Sequence, residues 1–257
     1  MTESDFAARP LASGDGGKVG FERWDRALYG LLAFAVAGML AAGAVIIFWT
    51  PVDAIQGLPQ KIFYLHVSSF GAGYACLTVA AVASVLYLVR GTDRWDRWAR
   101  AGAVPGLVFC TACLAMGIVW AVPAWNWNPA ESWDATFTMT VVLIAIYVAY
   151  FLVRQFAPGG RRARRLAAVV AIFGYLDGPI IYFSVDWWQT LHPGNVIQND
   201  ALPFSMLLTY LLTQLATLFL ALVIVLMRYR IEVRADQQAM ARERRLDAEP
   251  VHQGVTS

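Results

Sequence analysis

Two histidines, His66 and His192, and a cluster of tryptophans are the side chains of this chain best suited to chemistry. Imidazole is a good ligand for a transition metal, and indole offers a flat apolar face to a planar partner. Trp120, Trp125, Trp127 and Trp133 lie between the two histidines, and Trp187 and Trp188 sit just before the second. Either histidine alone reads as a packed or solvated residue. Together with the indoles they point to a metalloporphyrin, whose ring already fills four positions around iron and leaves only axial ligands to the protein. The third histidine, His252, lies in a charged tail. Zinc would need more histidine or cysteine than these segments offer, and no Walker A, GxSxG or HExxH pattern is present.

The elements that must position these residues are membrane helices. The chain has 257 residues, 58% of them hydrophobic and only 15% charged, with a mean hydropathy of +0.52. Several apolar runs reach the ~20 residues that cross a hydrocarbon core of about 30 Å. They fall at about 28–49, 62–89, 103–122, 136–157, 167–185 and 203–228. Pro51, Pro123 and Pro158-Gly159-Gly160 mark three of the ends. Residues 1–27 lack the early apolar run of a cleaved leader, so the first span is expected to stay as an anchor. Residues 229–257 are charged and read as a short helix followed by disorder. The formal net charge of +2 gives no field suited to nucleic acid. Cys110 and Cys113 have CxxC spacing on one helix face, but no redox-fold pattern surrounds them; with Cys76 they read as packing residues.

Charge sets the orientation. All of the 20 basic residues except Lys61 fall before span one, between spans two and three, between spans four and five or at the adjoining end of span four, or at or after the end of span six. The positive-inside rule places those segments, with both termini, in the cytoplasm. The expected fold is an all-α integral membrane protein with six transmembrane helices and both termini cytoplasmic. The outer loops are then about 50–61, 121–135 and 186–202, and they hold Asp53, Lys61, Glu131, Asp134, Asp186, Asp200 and the denser tryptophan set. Trp24, Trp95 and Trp98 fit an inner aromatic belt.

Three segments resemble a known family. KIFYLHVSSF is similar to the start of the second helix of haem exporter protein C, a cytochrome c maturation family. YFSVDWWQTLHPG resembles that family's second histidine loop, and WAVPAWNWNPAESWDATFT stands where the family carries a tryptophan-rich segment ending in Trp-Asp. The likeness spans about residues 60–200. It implies that haem b binds at the outer face with His66 and His192 as axial ligands. It assigns Trp120, Trp125, Trp133 and Asp134 to the tryptophan-rich loop at about 120–136, which also contains Trp127, and sets Trp187 and Trp188 beside the second ligand. It further implies delivery of haem to a membrane-anchored chaperone, with ABC-type subunits as further partners and no bond made by this chain alone.

The chain departs from that pattern in places. The central segment is about two residues longer than usual. Thr136 stands where the family has an arginine suited to a haem propionate, which leaves Lys61 as the proposed substitute. Aligned differently, W-N-W-N-P-A-E-S-W resembles the W-x-W-D-P-x-E-x-W pattern of the system II haem-handling subunit, with Asn128 in place of Asp. An electron-transfer b-type cytochrome would need both histidines on facing helices, and His192 lies in a loop. A solute permease would need a polar path at mid-depth, and Asp177 is the one charged candidate there. Asp177 precedes Gly178-Pro179 and reads as a partner for backbone freed by a proline kink.

Overall fold

The structure is a computed structural model that describes residues 15–128, 133–157, 160–188, 192 and 202–248. Glu131, Asp200 and His252 lie outside the described residues, as does most of the loop around His192. Among the described residues there are seven α-helices, α1 (Asp15–Ala44), α2 (Ile62–Arg90), α3 (Asp93–Trp125), α4 (Ala135–Phe156), α5 (Arg161–Tyr175), α6 (Asp177–Trp187) and α7 (Phe204–Ala248). A π-helical turn, Val45–Trp49, ends α1, and a 3-10 turn, Leu58–Lys61, leads into α2. Among the described residues, six helical stretches are long and apolar enough to cross a membrane, α5 and α6 together making the fifth.

Helix α2 is the central element and packs on α3, α5 and α7, whereas α1 leans on α7. Small residues let α2 and α3 come close. A Cβ on Gly73 would lie 2.8 Å from Cys110 Sγ, and one on Gly102 would lie 2.8 Å from the Ala80 backbone nitrogen. Cys76, Cys110 and Cys113 are free thiols buried in these contacts.

Three helices extend well past the apolar runs, all at the arginine-rich end. Helix α3 starts with Asp93 and Asp96 in its first turn, where carboxylates favour the positive end of the helix dipole. Buried Asp96 receives a bidentate pair from Arg154 of α4, at 2.9 and 2.7 Å. Arg97 and Arg100 reach Asp236 and Glu232 of α7, both at 3.0 Å, and Arg230 and Arg234 reach Asp25 of α1. Helix α7 therefore runs unbroken for 45 residues, about 67 Å at 1.5 Å per residue. The segment after residue 228 is a continuation of span six as far as Ala248.

The fifth span breaks at Leu176. The Tyr74 hydroxyl of α2 donates to the Tyr175 carbonyl freed there, at 3.2 Å, and its ring stacks on Tyr175. Gly178 is required by the same contact, since a Cβ on it would collide with the Tyr74 ring. Asp177 does not take the backbone-pairing role expected from its position: it is buried, and its Oδ2 has no hydrogen-bond partner.

Candidate functional site

At the end of the bundle opposite the arginines, helices α2, α3, α4, α6 and α7 surround a cavity of about 420 Å³. That is within the range of about 300–1,000 Å³ usual for small-molecule sites. His66, the fifth residue of α2, stands on its wall. Its Nδ1 lies 2.9 Å from the Cys113 carbonyl of α3, and the Cys113 sulfur flanks the ring at 3.5 Å. A carbonyl accepts and cannot donate, so Nδ1 carries the proton. Nε2 of the neutral ring is then left with its lone pair.

His192 faces the same cavity, and its ring centroid is 6.1 Å from that of His66, with the planes 42° apart. The structure thus brings together two imidazoles separated by more than a hundred residues of sequence. Trp120 packs 5.7 Å from His66 and 4.7 Å from Trp125. Its indole N–H donates to Gln56 Oε1 at 3.0 Å, which ties the loop after α1 to this wall. Trp127 is buried against Phe137 and completes the indole wall.

Asp134 also lines the cavity, and a local reason fixes it there. Its Oδ1 accepts from the Phe137 backbone N–H at 2.8 Å, capping α4. Thr136, two residues on, exchanges a 2.7 Å hydrogen bond with Ser184 and so fastens α4 to α6 beside the cavity. The inner end of the cavity is formed by Phe70, Gly71, Thr140, Tyr210 and Gln214. Among the described residues, no group of three or more His, Cys, Asp or Glu side chains converges on a metal position.

Four of the sequence-nominated residues are not on the cavity wall. Trp133, Trp187 and Trp188 are exposed, Trp187 stacking on Phe183 one turn earlier in α6. Lys61 donates to the Ile47 carbonyl at 2.8 Å, which points it toward the end of α1. Conversely, Cys113, Gly117, Gln56, Tyr210 and Gln214 belong to the site and were not singled out for it. Cys113, Gly117 and Trp120 are spaced i, i+4, i+7, one face of a helix, and that spacing was the available signal.

A family model described as "Heme exporter protein C" matches residues 17–244. The chain is 33% identical to "Heme exporter protein C" of Bradyrhizobium diazoefficiens over 207 residues, covering 78% of this chain and 77% of that one. It is 31% identical over 202 residues to the protein of the same name from Escherichia coli K12, covering 77% and 81%. The Haemophilus influenzae protein of that name is 28% identical over 214 residues, covering 79% and 83%.

Proposed function

The chain belongs to the heme exporter protein C family, and from that premise we propose that it binds haem b between His66 and His192 and delivers it to a membrane-anchored haem chaperone for cytochrome c maturation. The 6.1 Å ring separation carries this reading. Two metal–imidazole bonds of about 2.0 Å put the ligating nitrogens ~4 Å apart and the ring centroids roughly 6 Å apart. The pair is therefore spaced to take one iron between them.

The other walls match the remaining parts of such a cargo. Trp120, Trp125 and Trp127 supply apolar faces for the macrocycle, and each Å² of apolar surface they cover is worth about 25 cal/mol. The open rim of the cavity would leave the propionates of a bound macrocycle toward water. Lys61 would reach one only by giving up its bond to Ile47. The arginine-rich end, by the positive-inside rule, lies in the cytoplasm, which puts the haem site on the periplasmic side of an inner membrane. The family's ABC-type subunits would meet this chain in the same complex. The chain's own part in this reading is to bind, orient and release haem.

The test is transfer. Haem-loaded protein in phospholipid nanodiscs is mixed with an excess of the apo haem chaperone, and apomyoglobin serves as a non-specific acceptor. Haem is expected to pass to the chaperone at least ten times faster than to apomyoglobin. Equal rates to both acceptors would show passive leakage and end the delivery assignment.

A further inference from the structure

We infer that Gly117 is a positioning residue that seats His66 against α3 and thereby sets Nε2 as the nitrogen presented to iron. The inference rests on the reading of His66 as a ligand. Gly117 lies one helical turn after Cys113 in α3, and a Cβ built on it would stand 2.9 Å from His66 Cε1 and 3.2 Å from Nδ1. The imidazole thus occupies the space that any other residue would fill. Only in that space can Nδ1 approach the Cys113 carbonyl to 2.9 Å.

That carbonyl is an unusual partner. In a regular helix it accepts the N–H four residues on, here that of Gly117 itself. Its second lone pair is free to accept from outside the helix, provided no side chain at position 117 blocks the approach. Glycine removes the block. The result is an Nδ1–H···O=C bond made to rigid helical backbone, and such partners fix the tautomer and orientation of a metal-ligating histidine and raise its basicity. Trp120, one turn further along α3, closes the other side of the ring at 5.7 Å. The ring is therefore held by three successive turns of one helix.

The test is Gly117→Ala in the full-length chain. Alanine extends a helix better than glycine, so α3 is expected to persist and the mobile end of His66 to give way. Haem affinity should fall about 10–100-fold, the loss usual when a second partner of a ligating histidine is removed. The midpoint potential of the haem that still binds should rise, because a less basic ligand stabilises ferric iron less. Gly43→Ala in α1, where nothing lies within 4 Å of an added Cβ, should leave both unchanged. Wild-type affinity and potential in Gly117→Ala would overturn the inference.

A second measurement needs no variant. In ¹⁵N-histidine-labelled wild type with haem bound, the His66 ring should carry one exchange-protected proton, on Nδ1. A proton on Nε2 instead would also overturn it. If wild type holds no haem, or His66→Ala holds as much as wild type, the ligand reading itself has failed and this inference goes with it.

Discussion

His66→Ala is expected to cut the haem that copurifies with the chain by at least tenfold. The substitution removes one of two imidazoles 6.1 Å apart and leaves the ring's seat between Gly117 and Trp120 empty. The indole wall remains, so weak binding of the macrocycle should persist through apolar contact. What disappears is the second axial bond, and the remaining haem should turn high-spin. Free imidazole at millimolar concentration is then expected to restore a low-spin spectrum, since the vacated space is the size of the lost ring. The haem-to-protein ratio and absorption spectrum, with and without imidazole, check the result. An unchanged ratio in His66→Ala would show that this residue is not a ligand.

The largest effect on stability is expected from Arg154→Ala. Asp96 is 2% exposed, and the Arg154 guanidinium meets both its carboxylate oxygens while also donating to Tyr150. Removing the arginine strands a buried carboxylate, which typically costs about 3–5 kcal/mol. Arg100 is nearby at 3.6 Å but is shared with Glu232 and Asp236 and cannot reproduce the two-pronged contact. Lysine should rescue poorly for the same reason. Adding Asp96→Asn to Arg154→Ala should recover part of the loss, because the stranded charge is gone. Thermal unfolding of the three variants in detergent measures this; an Arg154→Ala melting point equal to that of the wild type would remove the pair from the account of stability.

The spans were legible because a membrane helix must satisfy its backbone internally and cover itself in apolar residues for about 20 positions. Their limits at the arginine-rich end were not legible. Helices α3 and α7 continue past the apolar runs because carboxylates and arginines from distant segments pair there, and such pairs exist only once the chain is folded. The break at Leu176 is marked in the sequence by Gly178-Pro179, but the partner of the freed carbonyl is not: the Tyr74 hydroxyl of another helix, and not Asp177, meets it.

The site divides in the same way. His66, His192, Trp120, Trp125 and Trp127 were legible from residue type and position and Asp134 from the family resemblance, and all six line one cavity. Trp133, Trp187 and Trp188 have the same chemistry but sit on exposed faces, and residue type cannot report which way a ring turns. The Cys113 carbonyl could not have been found from the sequence, because every residue carries one. Its importance depends on the missing side chain at Gly117, a close approach between helices that a one-dimensional pattern does not record.

The most direct test of the central claim is the low-temperature electron paramagnetic resonance spectrum of ferric haem bound to purified wild-type protein. Two imidazoles on one iron predict a low-spin signal that is lost in both His66→Ala and His192→Ala. A high-spin signal in wild type, or a low-spin signal that survives either substitution, would contradict the pairing on which the proposed site is built.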